Sequence, residues 1–252
     1  MIHPSALVSS SAKVDEGVEI GPYSIVHENV WIKRDTKVGA YCEIGLPNPL
    51  AKKATLEIGE GSVIRSHTVI YSGSSIGPGL HTGHHVCIRE NSEISAGVQL
   101  GSRTDVQGDC TIGDHSKLHA DVHVGKKSRI GSFVWLFPEV LLTNDPMPPS
   151  EMLIGPTIED YCVVASKVLI FPGVTIAANS VIAAGSVVKA DIAEWKLATG
   201  NPAKPACDVR ILRMPGNPKE KAYPWRNRFH RGYPDEVVQA WIEQCQTKGN
   251  GK

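Results

Sequence analysis

The stretch Ile88-Arg89-Glu90-Asn91-Ser92-Glu93-Ile94-Ser95-Ala96-Gly97-Val98-Gln99-Leu100 carries an aliphatic residue at every sixth position, and the step continues through Val106, Ile112, Leu118, Val124, Ile130, Leu136 and Leu142. A period of six fits neither the 3.6 residues of an α-helical turn nor the alternation of a plain strand. It fits short strands joined by turns, each sending one aliphatic side chain to a common axis. Backwards from Ile88 the series holds Ile76, Ile70, Ile64 and Ile58, and only Thr82 breaks it. Val8 to Ile44 and Ile158 to Val188 repeat the step in two further runs. Glycine often follows the aliphatic residue, as in Ile20-Gly21 and Ile76-Gly77, and small residues favour the fourth position after it, where Cys42, Cys110 and Cys162 read as inward packers. The chain is expected to be an all-β solenoid.

The phase slips between Ile44 and Ile58 and again between Leu142 and Ile158, so loops are expected near 46–57 and 143–157. The repeat stops after Val188, which divides the chain into a solenoid over 1–198 and an extension over 199–252. From Lys204 to Arg231 eight Lys and Arg face only Asp208 and Glu220, a local balance of +6. Pro234-Asp235-Glu236 then reads as a helix start, followed by Val238, Trp241, Ile242 and Cys245 at helical spacing. This short helix is expected to cap the solenoid or pack against it.

A chain of 252 residues is long enough to bury a core without staples. Its 26 Lys plus Arg balance 26 Asp plus Glu, which argues against a partner such as nucleic acid. Aromatic content of 6% beside 24 glycines suits a core of small and β-branched side chains. The six cysteines are widely spaced, with no C-x-x-C pair, and read as reduced thiols of a cytoplasmic protein. Neither an export signal nor a membrane span is expected.

Over about residues 5–192 the hexads resemble the left-handed parallel β-helix of hexapeptide-repeat acyltransferases. The resemblance implies that three hexads close one triangular coil of 18 residues, and that three prisms assemble into a homotrimer with active sites in the clefts between subunits. Residues 18 apart then stack on one edge. His85 stacks with His67, Arg103, Asp121 and Glu139, and His84 with Ser66, Ser102, Ala120 and Pro138. A second edge holds Glu90 and Asn91, then Asp109, Lys126 and Lys127, and Asn144 and Asp145 at the root of the long loop.

Within this family the chain looks most like cytoplasmic nucleotide-sugar N-acyltransferases. Ile2-His3-Pro4-Ser5-Ala6, Gly83-His84-His85-Val86-Cys87-Ile88-Arg89-Glu90, Thr143-Asn144-Asp145-Pro146 and Gly200-Asn201-Pro202-Ala203-Lys204 carry that likeness. It implies transfer of an acyl group, acetyl above all, from acetyl-CoA to a UDP- or dTDP-linked amino deoxyhexose, without a metal. An amine must be neutral to attack a thioester, and imidazole, with an ordinary pKa of about 6.5, is suited to take its proton. His84 is the candidate base, with His85 as its catalytic partner. His81, Arg89, Glu90, Arg103, Asn144 and Asp145 are candidates for binding the sugar nucleotide, with Arg89, Arg103 or Lys126 for its pyrophosphate. Turn amides at Gly83 or Gly101 are candidate oxyanion donors. Ser166, Ala184, Lys204 and Arg210 are assigned to coenzyme A.

Three other readings compete. Antibiotic O-acetyltransferases share the fold. Lipid A-type O-acyltransferases do too, but their histidine-rich catalytic stretch and helical bundle are not matched here. A γ-carbonic-anhydrase-like zinc site would draw on His115, His119 and His123, yet the partner positions 36 residues beyond His81 and His84 are Lys117 and Ala120. A trimeric scaffold without activity is the non-enzymatic alternative.

Overall fold

The computed structural model describes residues 1–249, with side chains through Glu243. Strands of mostly two residues stack into three sheets of eleven, ten and nine strands, all parallel except the last strand of the first, Ala203–Asp208, as the hexad period predicts for the solenoid. The first face runs from Glu19–Ile20 through His81–Thr82 and Trp135–Leu136 to the hairpin Lys196–Gly200 and Ala203–Asp208. The second face runs from Leu7–Val8 to Val187–Val188, and the third from Lys13–Val14 to Thr175–Ile176. Register is one coil, 18 residues: Gln99 pairs with Lys117 and Leu100 with Leu118.

The hexad aliphatics form the core. From Ile20 onward every one of them is buried, while Val8 and Val14 in the first coil are only half-buried. Small hydroxyls at the inner corners satisfy the backbone there; Ser24 Oγ donates to the Gly39 carbonyl at 2.7 Å, and Ser116 Oγ to Gly131 at 2.7 Å. Coils approach so closely that a Cβ on Gly101 would stand 2.4 Å from the Ala120 nitrogen. Where coils meet this closely, as at Gly101, glycine is a steric requirement.

From Gly17 onward the corners of the stacked coils turn on residues with positive φ, which gives three edges. A histidine edge joins the first and second faces through Tyr23, Tyr41, His67, His85, Arg103, Asp121 and Glu139. A loop edge joins the second and third through Asn91, Asp109 and Lys127. A third edge, bearing His115, Phe133, Tyr161 and Asn179, returns to the first face. Both phase slips occur between second-face and third-face strands, so both loops leave at the loop edge.

The extension does not simply cap the end. The hairpin continues the first face, and residues 222–241 then fold back along the prism as a strap. Trp225, Tyr233 and Trp241 pack on Phe133, Trp135, Tyr161 and Val163, and Trp135 Nε1 donates to Tyr233 Oη at 2.8 Å. The helix spans Asp235–Gly249 and presents Val237, Val238 and Trp241 to this cluster, while the side chain of Cys245 lies outside the described residues. Among the described residues no helix is long and apolar enough to cross a membrane.

Trp241 is 3% exposed, and truncating a buried tryptophan typically costs about 3–5 kcal/mol. Because stacked coils hold each other independently of the strap, Trp241→Ala is expected to expose residues 222–234 to limited proteolysis while the solenoid stays intact. Loss of the solenoid in step with the strap would contradict this division.

Candidate functional site

The site grows out of the position where the repeat fails. Elsewhere on the first face the residue after the aliphatic one donates its N–H to the carbonyl of the next coil, as Gly39 does to Ile64 and Gly83 to Leu100. At Arg65 the N–H instead meets the Thr82 hydroxyl, at 2.8 Å. The pairing between the strands Val63–Ile64 and His81–Thr82 accordingly reduces to Val63 opposite His81. Thr82 thus supplies a side-chain acceptor where the ladder opens, which is the physical reason for a hydroxyl among aliphatics.

His84 follows this break. Its Nδ1 lies 2.8 Å from Ser66 Oγ on the preceding coil, and its backbone N–H donates to Ser102 Oγ on the next at 3.1 Å. His81 projects from the strand and is exposed, as is His85, whose ring stacks on His67 at 4.6 Å. Tyr41 and Tyr23 continue that stack at 5.1 and 5.2 Å. Arg103, on the same edge, is held by Asp121 through two contacts of 2.6 Å, so its guanidinium is already neutralised.

Beside these histidines a groove of about 570 Å³ runs between the first face and the strap. Arg65, His81, Ser102, Lys117, His119 and Trp135 line one side, Phe229 and Arg231 the other. Arg65 also borders a second depression, of about 520 Å³, that reaches His84 and the N-terminal His3. Lys117 is buried, with Nζ 3.1 Å from the Gly232 carbonyl and 4.1 Å over the Tyr233 ring, and burial pushes its pKa down. His119 stacks on Phe137 at 4.8 Å; burial and, less strongly, Lys117 lower its pKa and favour the neutral ring. No local sequence signal marks Lys117 or the strap as groove walls, and His119 enters the sequence reading only as one of three histidines of a competing zinc site.

Other expected site residues fall elsewhere. Glu90 is fully buried, gripped by Arg89 at 3.2 and 3.3 Å, by Asn48 Nδ2 at 3.1 Å and by Lys126 at 3.6 Å. Lys126 also reaches Asp109 at 3.2 Å, and Lys52 meets Asp109 at 2.7 Å. This network fastens loop 47–55 to the loop edge, so Arg89, Glu90 and Lys126 have structural partners rather than a face for substrate. Asn144 accepts the Ile154 N–H through its carbonyl, at 2.8 Å. Asp145 shapes the second loop by accepting from Ser150 Oγ at 2.6 Å and from the Ser150 and Met147 amides; the Ser150 hydroxyl above all holds its carboxyl below the usual range. All four of Arg89, Glu90, Asn144 and Asp145 thus belong to a different edge from His84.

Ser166 and Ala184 continue the His84 column toward the hairpin, and Lys204 is exposed on that hairpin opposite Thr199. Five coil steps of roughly 4.8 Å separate Ala184 from His84. Arg210 is drawn away from this column: it pairs with Asp208 at 2.6 and 2.8 Å and lies over Trp195, at the far corner. The Gly83 and Gly101 amides donate to Leu100 and Leu118 at 2.6 and 2.7 Å, so they are spent in the ladder and do not serve an oxyanion. His115 stacks on Phe133, His119 on Phe137, and His123 pairs with Asp105 at 3.1 Å on the second face. Among the described residues no group of three His, Cys, Asp or Glu side chains is arranged to hold a metal. Burial pushes the Cys110 thiol up to about 11 and Cys162 to about 12, far from nucleophilic use.

No protein-family model matches the chain. It is 27% identical over 252 residues to an acyl-[acyl-carrier-protein]–UDP-N-acetylglucosamine O-acyltransferase of Pseudomonas entomophila, covering 95% of this chain and 80% of that protein. It is 27% identical over 221 residues to the bifunctional protein GlmU of Mycolicibacterium smegmatis, covering 84% of this chain and 42% of the relative. The chain thus spans about two fifths of the GlmU proteins it matches. Among solved structures the UDP-N-acetylglucosamine acyltransferase of Arabidopsis superposes with a TM-score of 0.63 at 20% identity, over 92% of this chain and 78% of that one, a likeness of fold.

Two outcomes follow. Thr82→Val restores the repeat yet removes the acceptor for the Arg65 N–H, so thermal denaturation is expected to show a loss of about 1–3 kcal/mol rather than a gain. The folded pKa values of His115 and His119 lie below 6.5, so the unfolded chain binds more protons in the window beneath 6.5. Stability is therefore expected to fall as pH drops through that window, and a pH series of melting curves on the His119→Gln variant should be flatter than that of the parent.

Proposed function

We propose that this chain, a hexapeptide-repeat acyltransferase with a left-handed β-helix, moves an acyl group from acetyl-CoA to the amino group of a UDP- or dTDP-linked amino deoxyhexose. The observation that carries this reading is an exposed imidazole, His84, fixed by Ser66 at the head of a column that continues to Ser166, Ala184 and Lys204. Donor and acceptor then meet at the histidine edge, the pantetheine arm lying along the column and the sugar in the groove.

The chemistry needs a base and a donor to the oxyanion. With Nδ1–H donated to Ser66 Oγ, Nε2 keeps its lone pair. The sugar nitrogen attacks the thioester carbonyl carbon, the C–N bond forms, and Nε2 takes the ammonium proton. The tetrahedral intermediate collapses, the C–S bond breaks, and the departing sulfur takes a proton back from the imidazolium. Ser102 Oγ accepts the His84 N–H and retains its own hydrogen for the oxyanion, replacing the glycine amides in that role. His81 and His85 flank the acceptor. In the proposed homotrimer, Asn144 and Asp145 of the long loop belong to the wall that a neighbouring subunit adds. The reaction is placed in the cytoplasm, where both substrates are made.

A second reading, O-acyl transfer to a UDP-N-acetylglucosamine-type acceptor, is supported by the Pseudomonas entomophila relative, which this chain matches over most of its length. His84 would then deprotonate a hydroxyl, and the two readings differ only in the acceptor.

The test is thiol release from acetyl-CoA with UDP- and dTDP-linked 3-amino and 4-amino deoxyhexoses, UDP-N-acetylglucosamine and chloramphenicol. Release with an amino sugar is expected, and release with UDP-N-acetylglucosamine alone would favour the second reading. His84→Asn is expected to lower kcat about 10²-fold or more with little change in KM, and Ser66→Ala to lower it by a smaller factor. Near-normal turnover in His84→Asn would remove the histidine from the base role.

A further inference from the structure

The cations around the site fall into two groups. Arg89 and Lys126 are bound to Glu90, Arg103 to Asp121, Lys167 to Glu139 and Arg210 to Asp208. Arg65 and Arg231 have no carboxylate within 4.0 Å among the described residues, yet both border the same groove, one from the solenoid and one from the strap. Lys117 adds a third positive charge at the groove floor, and no Asp or Glu lines it. Positive charge gathered in a groove without a counter-ion creates a local attraction for an anion, and His81, Gln99 and Ser102 add polar groups to the same walls.

The strap is built to hold Arg231 there. On one side Phe229 meets Trp135 edge-on at 5.6 Å. On the other, Lys117 binds the Gly232 carbonyl at 3.1 Å and Trp135 binds Tyr233 Oη at 2.8 Å. Gly232 has a φ of 79°, and a Cβ there would stand 3.0 Å from Lys117 Nζ, so glycine lets the strap close on the solenoid. Arg65 is set from beneath by its N–H bond to Thr82.

We propose that this groove is a diphosphate seat, with Arg65 and Arg231 as the two arms of the clamp and the strap as the element that completes it. Guanidinium groups bind phosphate oxygens in bidentate fashion, and two of them on opposite walls match a diphosphate better than a carboxylate. The choice of ligand rests on the acyl-transfer reading, because the sugar nucleotide and coenzyme A both carry that group.

The test measures binding without turnover. Isothermal titration of the full chain with inorganic pyrophosphate, UDP and coenzyme A is compared among the parent, Arg231→Gln, Arg65→Gln and the exposed control Lys219→Gln. Each of the two groove variants is expected to weaken UDP and pyrophosphate roughly tenfold or more, with an affinity that falls as salt rises, while the control changes neither. Weakened coenzyme A with unchanged UDP would assign the seat to the donor. Unchanged binding of all three probes in both arginine variants, or no binding by the parent, would overturn the proposal. Arginine-dependent UDP binding in a protein that acylates nothing would keep the seat and discard the acyl-transfer reading.

Discussion

A coil of this chain has no interior of its own: its two-residue strands complete their hydrogen bonds only against the coils before and after it. Stacking at an 18-residue register is the constraint on which the rest depends. It favours one aliphatic side chain per strand on the axis, a left-handed residue at most corners and no side chain where coils touch most closely, as at Gly101. It also decides which polar groups meet, since whatever occupies a corner faces what stands 18 residues away. His85 on His67, Arg103 on Asp121 and His84 on Ser66 are all products of that rule.

A lattice so regular becomes functional where it yields. At Thr82 a hydroxyl takes over a ladder bond, and the same coil carries His81, His84 and His85. The strap then converts an exposed sheet face into a walled groove, and its anchors are the aromatic residues Phe133, Trp135 and Tyr161 that point outward from the prism. Loop 47–55, by contrast, is fastened by Lys52, Asn48 and the buried Glu90, which makes the loop edge a structural brace.

The solenoid was legible because its period is written in the positions of Ile58 to Leu142, and Thr82 stood out for the same reason. The pairing of Arg103 with Asp121 was available too, as opposite charges one coil apart in a column already recognised. The ion pair of Arg89 with Glu90 joins sequence neighbours, and Lys126 stands two coils on in a column already recognised, but the Asn48 contact to Glu90 comes from a loop with no repeat to fix it and was not legible. The groove was invisible for a stronger reason. Trp135 meets Tyr233 across 98 residues, and no local pattern encodes that contact; the one signal was the outward series Phe133, Trp135 and Phe137, too apolar for a solvated face.

The central claim is that substrates meet between the first face and the strap, at the break beside Thr82. Hydrogen exchange read by mass spectrometry on the full chain, with and without saturating UDP-linked amino sugar and coenzyme A, tests it directly. The account predicts slowed exchange in 63–67, 81–85, 99–103 and 228–233. Protection confined to the loop edge, in 47–55 and 143–155, with the strap unchanged, would contradict it.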